Sequence, residues 1–191
     1  MELYIAHEVD NPLEMFFYTP VSMSTNLLKV RLLEGKKVDL EKDYTFYYNR
    51  DGINFSFVGR PIKKVGEDTL LVLIKDSRIE LRRYPRVKVP FDEIVVEVDG
   101  LKGFLRDISL GGCRLQFLKP IPSDFLDRGL VKRVRFFLPD GQTFEVKAKV
   151  VNIMRESRSV SCAFVMKDET VVKLYKAVTL YLRRRLGLEE Y

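Results

Sequence analysis

The chain has 191 residues, with 33 lysines and arginines against 27 acidic residues and a net charge of +6. Its hydrophobic content of 46% and charged content of 31% exclude a disordered chain and allow one large domain or two small ones, each with a modest core. The positive balance favours an anionic partner such as a nucleotide, a nucleic acid or a lipid headgroup, a pointer too general to stand alone.

The N-terminal "MELYIAHEVD" has neither a basic leader nor a long apolar stretch, so no secretory signal is read there. The longest apolar run, "LLVLI" at Leu70 to Ile74, is too short to span a bilayer. A cytoplasmic location without membrane insertion is expected. His7, the only histidine, has no triad arrangement around it and reads as an ordinary strand or surface residue.

Three Asp-Gly pairs punctuate runs of alternating or β-branched residues. "YTFYYNRDGINFSFVG" predicts a hairpin turning at Asp51-Gly52, "IVVEVDGLKGFLRDIS" one at Asp99-Gly100, and "VRFFLPDGQTFEVKAKVV" one at Asp140-Gly141. Asp-Gly between β-like segments is a strong hairpin signal because both turn positions can require positive φ. Further strands are expected at Thr69 to Lys75 and Val160 to Met166, which makes the chain mainly β and antiparallel, as small barrels or sandwiches. In "DETVVKLYKAVTLYLRRRLGL", Val171, Leu174, Tyr175, Val178 and Leu182 recur at helical spacing. Asp168 supplies an N-cap and Gly187 a C-cap, and Arg183 to Arg185 suit the negative end of the helix dipole.

Between the first hairpin and the second lies "LRRYPRVKVP", Leu81 to Pro90. Pro85 disfavours helical backbone at Tyr84 and has no N–H to give, so this stretch runs extended with Arg82, Arg83 and Arg86 pointing in different directions. It is either a solvated basic linker or a grip for something anionic. Hairpins on both sides of it imply two β modules, 1–79 and 87–191, joined by a linker at 80–86. Cys113 and Cys162 sit in apolar strand-like runs and read as small buried hydrophobes in a reducing compartment. A phosphate-binding Walker loop, a Cys-x-x-Cys pair and a His-Glu-x-x-His helix are all missing from the sequence. Neither a catalytic centre nor a metal or cofactor is expected.

Some twenty residues after the arginines comes "RDISLGGCRL", in which Asp107, Ser109 and Gly112 follow the pattern Asp-x-Ser-x-x-Gly. Read locally, Asp and Ser can bond nearby backbone, and Gly111-Gly112 can turn the chain or form a bulge. Read with "RRYPRVKV", and with the strand and Asp-Gly hairpin between them, the pattern resembles the PilZ domain family of bacterial cyclic di-GMP receptors. The resemblance runs from about Ile79 to the C-terminus and takes in "VKAKVVNIMRESRSVSCAFV" and the terminal helix. The first module resembles the smaller β domain that precedes PilZ in flagellar-brake-type proteins. One departure is Ser161, in "VSCAF", where family members often carry glycine.

The resemblance implies two small antiparallel β-barrel domains, the second a PilZ-like barrel with a C-terminal α-helix. It implies a binding protein, not an enzyme, with cyclic di-GMP as ligand and Arg82, Arg83, Arg86, Asp107, Ser109, Gly111 and Gly112 as contacts. Arg114, on the following strand, stays outside this core set. The residue types suit the task. Arginine pairs with phosphate, stacks on π-faces and forks onto guanine O6 and N7. From Arg82 to Arg86 an extended chain reaches roughly 13 Å at about 3.3 Å per residue. Asp107 accepts from the guanine N1–H and N2–H₂ edge that arginine cannot satisfy, Ser109 can donate or accept, and the glycines admit close backbone approach. The implied output is a change in domain arrangement that regulates a partner protein, in the flagellar motor or another cyclic di-GMP system. Two other readings stand beside this one. The first is a nucleic-acid-binding β-barrel using Tyr44, Tyr47 and Phe55 as exposed aromatics, against which Asp107 is poorly placed beside phosphates. The second is a PilZ-fold interaction module that binds no nucleotide.

Overall fold

A computed structural model describes residues 3–50, 53–79, 83–123, 125–165 and 168–187. The chain forms two compact units, 1–85 and 86–191. Each is a six-stranded antiparallel barrel, and the second carries the helix.

In the first unit, β1 (Tyr4–Glu8), β2 (Met15–Met23), β3 (Leu27–Leu32), β4 (Tyr44–Arg50), β5 (Ile53–Lys64) and β6 (Thr69–Ile79) close in the order β1-β2-β3-β6-β5-β4. The interior is aromatic. Phe46 stacks on Phe57 with ring centroids 5.1 Å apart, and Tyr18 meets Phe46 edge-on at 5.4 Å. The buried Tyr18 hydroxyl donates to the Tyr47 carbonyl at 2.7 Å, which satisfies its polar end. Tyr44 is part of this core and packs edge-on against Phe16, while Tyr47 and Phe55 are half-buried. Tyr44 is therefore lost as an exposed stacking platform, because alternation along β4 aims it inward. The strands flanking the first Asp-Gly pair are in register through Arg50 and Ile53, and Asp51-Gly52 itself lies outside the described residues. Pro20 and Pro61 sit at register shifts in β2 and β5, where a missing N–H costs no ladder bond.

In the second unit, β7 (Val87–Lys88), β8 (Val95–Val98), β9 (Leu101–Ile108), β10 (Gly112–Phe117), β11 (Val131–Phe137), β12 (Thr143–Met154) and β13 (Ser159–Phe164) precede α1 (Glu169–Arg185). The barrel runs β8-β9-β10-β13-β12-β11, closed by the β11–β8 pairing, and β7 adds to the edge of β9 beyond the end of β8. Asp99 and Gly100 both have positive φ, 48° and 81°, as the two-residue turn between Val98 and Leu101 requires. The Asp140-Gly141 turn is built differently from the expected two-residue form. Pro139, Asp140 and Gly141 make a three-residue loop in which Gly141, at φ 90°, donates to the Leu138 carbonyl and Leu138 donates to Gln142. Proline favours the first position of that turn and glycine the left-handed last one.

The helix buries the face read from the sequence, Val171, Leu174, Tyr175, Val178 and Leu182, and packs against β12. Asp168 is its N-cap and accepts from Val171 N at 3.1 Å. The C-cap is Leu186. Gly187 follows it at φ 68°, with its N–H bonded to the Arg184 carbonyl. Cys113 and Cys162 are both free and buried, directly opposite one another across β10 and β13. Their thiols share a hydrogen bond, which together with burial pushes the Cys113 thiol well up.

Candidate functional site

The β9–β10 hairpin carries the Asp-x-Ser-x-x-Gly residues, and its register decides where they point. Ser109 N donates to the Gly112 carbonyl at 2.8 Å across a two-residue loop, which pairs Ile108 with Cys113 and Asp107 with Arg114. The register then slips, and Leu105 pairs with Leu115. Arg106 and Asp107 thus stand together opposite the single residue Arg114, a β-bulge. Leu105 and Ile108 on either side are fully buried in the barrel. In a regular strand Asp107 would share the inward phase of Leu105. The extra residue turns it to the outer face with Arg106.

On that face Asp107 is covered from both sides. β7 lays Lys88 beside it in register on one edge, and β10 lays Arg114 on the other. Arg114 Nε lies 3.0 Å from Asp107 Oδ2, and Arg86 Nη1 lies 3.9 Å from Oδ1. The second distance is an ion contact too long for a hydrogen bond. Asp107 keeps 7% of its side-chain surface exposed, whereas Arg86 keeps 43% and Arg114 38%. Asp107 Oδ1 and Arg114 Nε are both buried, and neither has a hydrogen-bond partner among the described residues. A recessed carboxylate with a vacant acceptor, rimmed by two accessible guanidiniums, offers charge and acceptor capacity that the fold itself does not use.

The other expected contacts divide. Arg82 lies outside the described residues. Arg83 is half-buried, with its guanidinium carbon 5.5 Å from the centre of the Tyr84 ring. Ser109 is buried, and its Oγ accepts from Gly111 N at 3.2 Å, so its hydroxyl is engaged in the turn. Gly111 ties the turn to β13 by accepting from Phe164 N at 2.9 Å. Gly112 is explained by packing: a Cβ built there would stand 2.1 Å from the Cys162 carbonyl oxygen. The close approach that this glycine permits is therefore to β13. Ser161, the departure from the family pattern, lies across β10 and β13 opposite Arg114.

Arg86, Asp107 and Arg114 are brought together, and Arg114 is the one that the core set omitted. Its signal was available. A two-residue loop between Ser109 and Gly112 makes Asp107 and Arg114 cross-strand neighbours by counting.

Among the described residues no cluster of three metal-ligating side chains occurs, and no helix is long and apolar enough to cross a membrane. A family model for the PilZ domain matches residues 80–179. No curated protein sequence matches the chain. Among solved structures, the chain is similar to the Bacillus subtilis inhibitor of motility MotI/DgrA at 16% identity, covering 99% of this chain and 98% of that one, with a TM-score of 0.42. It is similar to Escherichia coli YcgR in complex with c-di-GMP at 14% identity, covering 97% and 85%, with a TM-score of 0.44. A third likeness is to the K. pneumonia MrkH–c-di-GMP complex at 16% identity, covering 96% and 90%, with a TM-score of 0.45.

Proposed function

Because the chain belongs to the PilZ domain family, we propose that it is a receptor for cyclic di-GMP, held on the outer face of the second barrel by Arg86, Asp107 and Arg114. PilZ domains act by binding this ligand and are not enzymes. The observation that carries the reading is the vacant Oδ1 of the recessed Asp107, with exposed arginines on its rim. The ligand's guanine supplies what is missing there, an N–H edge for the carboxylate, while the dinucleotide's phosphates supply anions for the guanidiniums. The ligand takes over arginine charge that Asp107 now balances only in part. Arg82 and Arg83, by the family's doubled-arginine pattern, extend the grip, and the Ser109 turn with Gly111 and Gly112 holds Asp107 at its height. Charge-assisted contacts of about 1.5–3 kcal/mol each make micromolar affinity, about 8 kcal/mol, reachable after ordering costs.

The regulatory part of the proposal follows from chain order. The arginine segment joins the two units, so tying it to the second barrel biases how the first is presented to a partner protein. A ligand shifts such an equilibrium only by its difference in affinity between the two arrangements. A β domain followed by a PilZ domain is the flagellar-brake order, and motility control is the proposed output.

Calorimetric titration of cyclic di-GMP, GMP and short single-stranded DNA into the wild type and Arg86→Ala tests the receptor. Binding of the cyclic ligand alone, lost in the variant, supports it. DNA binding with a steep salt dependence points to the nucleic-acid reading instead, and silence with every ligand points to an interaction module. Small-angle scattering with and without saturating ligand tests the switch, and identical profiles would remove it.

A further inference from the structure

We propose that Arg106 is a further ligand contact, a guanidinium platform that stacks on the guanine base whose edge Asp107 accepts; this rests on the receptor reading above. The motif begins at Asp107 and leaves Arg106 outside it, yet the bulge places both on one surface. Arg106 and Asp107 oppose Arg114 together, flanked on each side by a core residue.

Three observations set Arg106 apart from an ordinary surface arginine. Its guanidinium carbon lies 5.0 Å from the centre of the Phe91 ring. Phe91 in turn packs edge-on against Phe104, centroids 5.3 Å apart and planes at 61°, two positions before Arg106 on β9. Yet Phe91 keeps 51% of its surface exposed, so burial does not account for a phenylalanine there. Among the described residues, no carboxylate lies within ion-pair distance of Arg106, although its partner-rich neighbours Arg86 and Arg114 both contact Asp107. The backbone at Arg106 is fixed as well, because its carbonyl accepts from Val89 N at 2.9 Å and anchors the segment that carries Phe91.

A guanidinium resting on an aromatic ring has lost much of its rotamer freedom before any ligand arrives, and its planar group has a second face with which to stack. A planar base gripped by its edge presents its face to whatever lies beside the edge-binding group. Asp107 is recessed and Arg106 is its immediate neighbour on the same surface, so the two can take the edge and the face of one guanine. The arrangement favours a purine over a pyrimidine, since stacking grows with ring area.

The test is calorimetry with cyclic di-GMP at fixed salt on the full chain, using the wild type, Arg106→Ala, Arg106→Lys and Phe91→Leu, with Arg86→Ala as control and a melting curve for each. Arg106→Ala should bind about tenfold more weakly, the scale of a partly desolvated cation–π contact, with its melting temperature little changed. Arg106→Lys should recover only part of the loss, because a point charge lacks the planar face, and Phe91→Leu should weaken binding about threefold by freeing the guanidinium. Should alanine unfold the barrel, Arg106→Met keeps the stem over Phe91 and carries the same expectation. Wild-type affinity in Arg106→Ala alongside loss in Arg86→Ala overturns this assignment alone. Full recovery by lysine overturns it too, since the group would then be a phosphate charge. Silence from the wild-type chain overturns the receptor reading and this assignment together.

Discussion

Arg114 Nε stands 3.0 Å from Asp107 Oδ2, but neither that nitrogen nor the other carboxylate oxygen completes a hydrogen bond among the described residues. The contact is set by strand register rather than by fork-to-carboxylate geometry, so it gives little of the strength that an aligned Arg–Asp pair would have. Asp107→Asn should therefore cost about 1 kcal/mol of stability or less, because the two arginines released are more than a third exposed and water can solvate them. Ligand affinity should fall at least tenfold, since the amide replaces an anionic acceptor with a weaker one and turns a donor group toward the guanine edge. Thermal melting and titration on the same preparation measure both. Unchanged affinity in the variant would take Asp107 out of the site.

Arg114→Ala should separate the two arginines. It removes the closer of the two cations, leaving the recessed Asp107, among the described residues, with the 3.9 Å ion contact to Arg86. A desolvated carboxylate with less compensation destabilises the barrel by about 1–2 kcal/mol at neutral pH. Thermal melting of wild type, Arg114→Ala and Arg114→Met measures this, and recovery by methionine, which keeps the stem without the charge, would assign the loss to packing.

Gly112→Ala should break the barrel whether or not ligand is present. The added carbon would stand 2.1 Å from a backbone oxygen of β13, and backbone cannot rotate away as a side chain can. A cost of about 3 kcal/mol is expected, seen as a lower melting temperature in the apo protein. Gly100→Ala is the contrast. Its Cβ would meet nothing within 4 Å, but φ is 81°, so the penalty is the left-handed backbone alone, about 1 kcal/mol. Equal losses at the two positions would contradict the distinction between crowding and conformation.

Much of this was legible in the sequence for identifiable reasons. β12 reads as a strand because Val146, Ala148 and Val150 alternate inward against exposed lysines, and α1 because its apolar stripe, Asp168 and Gly187 agree. The first unit was legible as β but not strand by strand. β2, "MFFYTPVSM", has four buried residues in a row followed by a proline at a bulge, and neither feature alternates. In the site, Asp107 and its turn followed from the motif, while the bulge did not. A register slip is a relation between two strands, and no local pattern in "FLRDIS" records that Arg106 and Asp107 share a face. Gly112 was legible as a glycine requirement but not as to what comes close, since Cys162 lies fifty residues on.

The single histidine offers a clean pH prediction. His7, on β1, donates from Nδ1 to the Glu8 carbonyl and sits beside Tyr47 with ring centroids 5.8 Å apart. Burial lowers its pKa from the ordinary 6.5, and the backbone hydrogen bond offsets this only in part. Because the folded value is depressed, both states are neutral above about pH 7 and the group contributes nothing there. As the pH falls through 6.5 the unfolded chain takes up a proton that the folded chain still refuses, so stability declines until the folded value is passed. His7→Gln keeps a polar side chain without this titration. No other histidine is present, and ordinary carboxylates titrate mainly below this window. The wild-type melting temperature should therefore drop relative to the variant between about pH 7 and pH 5 and run parallel to it above. Parallel profiles across the whole range would mean that the imidazole is protonated as readily in the barrel as in water.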